Sequence, residues 1–343
     1  MSRKLNWAVI GCGAISKSHC DAIMVAEETE LYAVCDIIEE KAKAKAEIYG
    51  VKNIYTDYKE MLKNPEIDVV SICTPSGMHG EMAVEVARAG KHVLVEKPME
   101  ITKAKIDKMI EELEATNVKV GCVFQRRTEA KFAKVKEAVE SGKFGKLLLA
   151  EASMKMFRSQ AYYDSGEWRG TWELDGGGCL MNQAVHMIDL FIWLTGKPKT
   201  VFAKCRTLAR NIEVEDTVVA SVEFENGAIG SLVGATSVTP AQAQKINLHF
   251  EKGSITVGDN GIEQWSLEGS DEGIPEVKEP TFGGVSSDPT KLPATSHVIM
   301  VKDLANAINN DTKPMITPRE GRTAVDFILD IYESSKENKE IVY

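Results

Sequence analysis

The stretch EKPME, residues 96–100, follows directly on the apolar run KHVLV. It puts the amine of Lys97 beside the carboxyl of Glu96, with Pro98 stiffening the turn at a strand end. Ligands of open parallel sheets bind outside such ends. A partly buried lysine there, near a cationic ring, would have a lowered pKa and could move a proton, with Glu96 orienting it. A second group lies in GGGCLMNQAVHMIDL, 176–190. On a helix, Asn182 and His186 stand at i, i+4 and share a face, with Asp189 three residues on. An imidazole can take a proton from a hydroxyl near neutral pH, and Asn182 could hold that hydroxyl by a hydrogen bond. Taken singly, Lys97 reads equally as a solvated lysine and His186 as a core histidine.

A third pattern supplies a cofactor. GCGAIS, 11–16, follows an apolar run and opens a helix, as in the dinucleotide fingerprint G-x-G-x-x-G/A. Gly11 allows the tight turn and Gly13 the close approach of a pyrophosphate. Ala14 and Ile15 continue the turn, and Ser16 stands in the third position, small enough for helix–strand packing. Asp36 ends the next strand, 20 residues past Ser16. A carboxylate there bonds both adenosine ribose hydroxyls and repels a 2′-phosphate. Ile37 and Ile38 follow instead of an arginine, so the expected cofactor is NAD rather than NADP. TPSGMH, 74–79, ends another strand; Thr74, Pro75 and His79 are cofactor candidates, as are Glu96 and Lys97. YYDSGEWRGTW, 162–172, gathers Tyr162, Tyr163, Trp168 and Trp172 around Arg169. Aromatic faces suit a sugar ring and guanidinium groups suit a carboxylate or phosphate. Trp168, Arg169, Arg158, Arg126 and Arg127 are therefore substrate candidates.

The elements that must carry these residues alternate between strand and helix up to about residue 125, which calls for a doubly wound parallel sheet. Beyond it a helix, a long strand, the aromatic loop and a helix through His186 lead into strand-patterned segments over 200–267. ENG and EKG mark hairpins among them. The expected organisation is a Rossmann domain over 1–124 and an α+β domain over 125–343 for substrate binding and oligomerisation. Residues 268–294, rich in Gly, Pro and Ser, read as a surface loop, and helices over 295–310 and 319–337 close the chain.

With 343 residues, 43% hydrophobic and 27% charged, the composition is that of an ordinary globular protein of two domains. A formal charge of −10 without a basic run argues against nucleic-acid binding. Seven cysteines have neither CxxC spacing nor a histidine cluster, so they read as buried hydrophobes in a reducing compartment, with no metal site expected. No apolar run approaches the ~20 residues of a membrane span. The start MSRKLNWAVIGCG runs into a strand without a signal peptide, so the expected location is cytoplasmic.

The order GCGAIS, Asp36, TPSGMH, EKP, GGG, Asn182 and His186 resembles the Gfo/Idh/MocA oxidoreductase family. VGCVFQRR, 120–127, and PREGRTAVDFILDIYESS, 318–335, carry the likeness over nearly the whole chain. The resemblance implies a Rossmann domain followed by a domain on an open, largely antiparallel sheet. It further implies NAD(P)-linked chemistry on the hydroxyls of sugars, inositols or nucleotide sugars, and a homodimer or homotetramer. It assigns the family's lysine to Lys97 and its helical histidine to His186, makes a cis Lys97–Pro98 bond an expectation, and adds Gln125 to the cofactor candidates. Asn182 stands where the family often has Asp, which removes a carboxylate–histidine pair. WRGTWELDGGGCLMNQAVHMIDL resembles most the branch with UDP-N-acetylhexosaminuronate 3-dehydrogenases. Two other activities fit the same residues: glycoside cleavage through transient oxidation at ring carbon 3, and a non-catalytic ligand sensor.

Overall fold

The structure, a computed structural model, describes residues 3–277 and 294–343. Its contacts divide it into two units, lying within 1–125 plus 288–322 and within 126–287 plus 323–343. In the first unit six short strands, β1 (Leu5–Ile10), β2 (Thr29–Cys35), β3 (Asn53–Tyr55), β4 (Val69–Ile72), β5 (His92–Val95) and β6 (Val120–Cys122), form one parallel sheet in the order β3-β2-β1-β4-β5-β6. The central strands are apolar on both sides because helices cover both faces; all four residues of β4 are buried. Pairing sets Ile10 against Cys35 and Ile72, Ile72 against Val95, and Val95 against Cys122. The carboxyl ends of β1, β2, β4 and β5 therefore open along one edge. Gly11, Asp36, Thr74 and Lys97 each leave that edge, and the strand order reverses between β1 and β4, where such sheets bind ligands.

One helix of this unit comes from far along the chain. Ala294–Asn309 packs on Ser16–Val25, and Val301, Leu304 and Ala305 share a core with Cys20, Ala22 and Ile23. The sequence reading left the first domain at 124 without a return. The return serves the apolar side of Ser16–Val25, which β1 and β2 do not cover alone. No local pattern in 294–309 names that destination.

The second unit holds β7 (Leu147–Lys155), β8 (Pro198–Arg206), β9 (Thr217–Phe224), β10 (Ile229–Ala235), β11 (Lys245–Phe250), β12 (Gly253–Gly258), β13 (Gly261–Leu267) and β14 (Ile341–Val342). They make one sheet ordered β13-β12-β11-β7-β10-β9-β8-β14. In this sheet β7 and β10 pair in parallel and the other described neighbours are antiparallel. Burial alternates along β9 and β11, as a sheet with one packed face requires. Helices Ala130–Glu140 and Val185–Thr195 cover that face. Phe202, Val219 and Ile229 stand exposed on the strands. The expected turns fall between β9 and β10, where Gly227 takes φ +84°, and between β11 and β12. Of the loop expected over 268–294, residues 278–293 lie outside the described residues.

Candidate active site

The glycine turn is shaped by sterics. Gly11 sits at φ +87°, and a Cβ there would stand 2.6 Å from the Cys73 carbonyl oxygen, so the turn closes on β4 only with glycine. A Cβ on Gly13 would meet nothing within 4 Å. Gly13 and Ala14 are exposed and Ile15 half-buried, so the backbone beside them is open. Ser16 is fully buried and donates its hydroxyl to the Gly13 carbonyl at 2.6 Å, which fits its place in the third position. The helix Ser16–Val25 has no side-chain cap and no acidic residue in its first turn, leaving its N-terminal N–H groups for an anion. Asp36 accepts from the N–H of Cys12 at 2.8 Å and of Ile38 at 2.9 Å, one per oxygen. That holds the carboxylate at the strand edge beside the turn. These residues fit a dinucleotide: an open cradle, an uncapped helix start and an anchored acid for a ribose.

The neighbouring turns are braced from inside. His79 is buried, with Nδ1 2.7 Å from the Pro98 carbonyl and Nε2 2.8 Å from that of Thr74. Burial lowers its pKa. It was expected to face the cofactor; instead its ring lies between the turn after β4 and the EKP segment, with one N–H to donate to one of the two carbonyls. Thr74 and Pro75 remain half-buried at the sheet edge, as does Lys97, whose bond to Pro98 is cis. Glu96 was expected to orient Lys97, and its Oε2 accepts the Lys97 N–H at 3.0 Å. Its Oε1 meets Nε2 of His19 at 2.9 Å and of His297 at 3.3 Å. Burial would raise the Glu96 pKa, but the two imidazoles outweigh it and hold the carboxyl well below its usual range. Gln125 is buried just beyond β6.

In the second unit the segment before His186 is wider than an α-helix. Cys179–Ala184 forms a π-type turn, and the regular helix begins at Val185. Asn182 and His186 therefore do not share one continuous α-helical face, contrary to the i, i+4 reading. The cause lies just upstream. A Cβ on Gly178 would stand 2.1 Å from the Glu215 carbonyl oxygen. The Glu215 side chain accepts from the N–H groups of Gly178 and Leu180, at 2.9 and 2.8 Å, and from the Tyr332 hydroxyl at 2.9 Å. Burial pushes its pKa up to about 7. Asn182 donates Nδ2 to Asp175, a buried carboxylate that also accepts the Gly170 N–H at 2.8 Å, and receives Gln183 Nε2 on its Oδ1 at 3.0 Å. Asp175 thus brings a carboxylate to Asn182 where the sequence reading saw one lost. Asn182 and His186 are both half-buried.

The aromatic loop forms a cluster around one phenol. The guanidinium of Arg169 lies 4.5 Å from the ring centres of both Tyr162 and Trp168 and donates to the Tyr162 hydroxyl at 2.6 Å. Gln183 donates to the same hydroxyl at 2.9 Å and accepts from Arg158 at 2.8 Å. Arg158 and Arg169 form no ion pair among the described residues, and both are half-buried. Arg126 and Arg127 are different. Arg126 is paired with Glu129 and Asp259, each at 2.9 Å. Arg127 binds Asp189 through two nitrogens, at 2.8 and 2.5 Å. Their charges are paired within the second unit, Arg126 to Glu129 and to the turn between β12 and β13, Arg127 to the helix Val185–Thr195, unlike the open cations the sequence suggested. Trp172 meets Tyr332 edge-to-face, with ring centres 5.3 Å apart.

The two units match two family models: residues 5–124 match the oxidoreductase family with an NAD-binding Rossmann fold, and residues 132–256 the GFO/IDH/MocA C-terminal domain. The chain belongs to the Gfo/Idh/MocA family of oxidoreductases. Its cofactor is NAD. Among solved structures it is similar to the WlbA dehydrogenase of Bordetella pertussis in complex with NADH and UDP-GlcNAcA, at 33% identity and TM-score 0.88, covering 99% of each chain. It is equally similar to the WlbA enzyme of Chromobacterium violaceum with the same two ligands, at 32% identity and TM-score 0.89, covering 100% of this chain and 97% of that one. The myo-inositol 2-dehydrogenase of Thermotoga maritima is 29% identical over 72% of this chain and 73% of its own. Family membership accounts for the motifs read from the sequence. It leaves Asp175, Glu215, His19 and His297 unread: Glu215, His19 and His297 act through partners distant along the chain, and Asp175 through a turn that the packed chain shapes.

Proposed function

We propose that the chain is an NAD-dependent dehydrogenase that oxidises a ring hydroxyl of an anionic nucleotide sugar, with a UDP-N-acetylhexosaminuronate favoured and carbon 3 the carbon oxidised. The observation that carries the anionic preference is the pair Arg158 and Arg169, two guanidinium groups packed on Tyr162 with no carboxylate partner among the described residues. Guanidinium groups so placed suit a carboxylate or phosphate. The two WlbA enzymes, bound to UDP-GlcNAcA, support the substrate class. When bound, NAD supplies the acceptor for the hydrogen leaving the carbinol carbon. Gly11, Gly13, Ala14 and Ile15 hold its pyrophosphate at the helix start, and Asp36 its adenosine ribose. Lys97 or His186 takes the proton of the substrate hydroxyl. Asn182, anchored by Asp175, holds the same hydroxyl. Assembly as a homodimer or homotetramer through the outer face of the second sheet belongs to this reading, supported by the exposed Phe202, Val219 and Ile229.

The test is a panel of UDP-sugars, free sugars and inositols with NAD, read by NADH fluorescence. The expected result is turnover of a UDP-hexosaminuronate with neutral sugars far slower. Turnover of inositols or neutral sugars in preference to every acidic substrate would overturn the anionic assignment. Bound cofactor that co-purifies, never exchanges and never accumulates as free NADH would favour redox-assisted glycoside cleavage.

A further inference from the structure

Glu96 sits at the centre of a buried relay that runs through the first unit. The Trp7 indole N–H donates to the Ser71 hydroxyl at 2.8 Å. That hydroxyl lies 3.0 Å from Nδ1 of His19 and donates to it, because Nδ1 is then the acceptor and Nε2 carries the proton. His19 Nε2 faces Glu96 Oε1, and His297 Nε2 faces the same oxygen from the helix Ala294–Asn309. The opposite oxygen, Oε2, takes the Lys97 N–H. The ring of His297 is 1% exposed, and its Nδ1 has no hydrogen-bond partner among the described residues. Among the described residues, the hydrogen bond of this ring is the one at Nε2.

We propose that His19 and His297 are positioning residues for Lys97: their two N–H groups hold Glu96 as a fixed carboxylate, and Glu96 fixes the Lys97 backbone and thereby its amine. The role rests on Lys97 acting as proposed above. His297 lies 201 residues beyond Glu96, so the returning helix closes the relay as well as covering the core. The titratable groups around Glu96 are His19 and His297, with His79, Cys73 and Lys97 nearby.

The experiment compares wild type with His297→Ala and His297→Gln, the second keeping an N–H donor. Three readouts are taken on the full-length chain: kcat, NAD affinity, and the labelling rate of Lys97 by an amine-reactive ester, resolved by peptide mass spectrometry. His297→Ala should lower kcat about 10- to 100-fold with NAD affinity retained. With Glu96 less firmly held, the Lys97 segment should loosen and its amine label severalfold faster, while Lys105 and Lys108 do not change. His297→Gln should restore both. Unchanged Lys97 labelling and kcat, with only a lower melting temperature, would overturn the proposal and leave the relay a packing device. Stoichiometric zinc or iron in the purified protein, lost together with activity on substitution of His297, would also overturn it and make His19, Glu96 and His297 metal ligands. Labelling needs no substrate, so a Lys97 shift without turnover on any sugar would sink the proposed function and not the relay.

Discussion

Single side chains carry the proposed chemistry, and their substitutions separate binding from turnover. Lys97→Ala removes an amine proposed to act on the reacting hydroxyl, so kcat should fall about 10²- to 10⁴-fold while NAD binding, measured by fluorescence quenching, persists. Near-normal turnover would remove Lys97 from the mechanism. Asp36 has a different place: it anchors to Cys12 and Ile38 and offers its outer lone pairs to a ribose. Asp36→Ala should weaken NAD by about 1–3 kcal/mol, roughly 5- to 150-fold, and narrow the preference over NADP. Arg169→Leu takes a charge from the Tyr162 cluster without touching the cofactor turn. It should raise KM for an acidic substrate at least tenfold, about 1.4 kcal/mol, and leave the NAD dissociation constant as it was. Kinetics at varied substrate and fixed NAD distinguish these outcomes.

At the scale of elements, the turn that presents Asn182 is built by Gly178 and Glu215. Replacing Gly178 by Ala drives a Cβ onto the Glu215 carbonyl, and the cost should be about 3 kcal/mol, read from denaturant unfolding. The Glu215 carboxyl makes the second unit pH-sensitive. Its folded pKa is about 7 against an ordinary 4.5, so between those values the native protein binds a proton that the unfolded chain has lost. The stabilisation tied to this proton is fully present below pH 4.5 and lost as pH rises through 7, about 3 kcal/mol across the interval. Glu215→Gln should flatten the fall of melting temperature with pH over that range. A slope equal to wild type would show that Glu215 keeps an ordinary pKa in the fold.

At the scale of the whole molecule, the first unit needs the late helix. A fragment ending at residue 125 leaves Cys20, Ala22 and Ile23 without Val301, Leu304 and Ala305. It should aggregate or bind a hydrophobic dye, whereas the same fragment joined by a short linker to 294–322 should fold and bind NAD. Leu304→Ala in the full chain should cost 2–5 kcal/mol, typical of about one emptied core leucine, and lower the transition of the first unit.

How much was legible follows from how far each determinant reaches. GCGAIS, Asp36 and EKP lie within the strand-turn-helix units they build, and period and punctuation place them before any coordinates exist. The same holds for the hairpins at Gly227 and Gly253 and for the parallel sheet of the first unit. Other features depend on partners brought together only by the packed chain. Asp175 meets Asn182 across a turn that widens because Glu215, 37 residues past Gly178, fills it from outside. Arg126 and Arg127 read as open cations until Asp259 and Asp189 meet them. His297 shows no local pattern and gains its meaning from Glu96. The amino-acid sequence by itself determined the parallel sheet, the glycine turn and the acid that ends β2, because hydrophobic period and backbone sterics act over a few residues. Tertiary structure alone decided which charges are spent in pairs and which histidines hold the EKP carboxylate, because burial and pairing are set by neighbours in space.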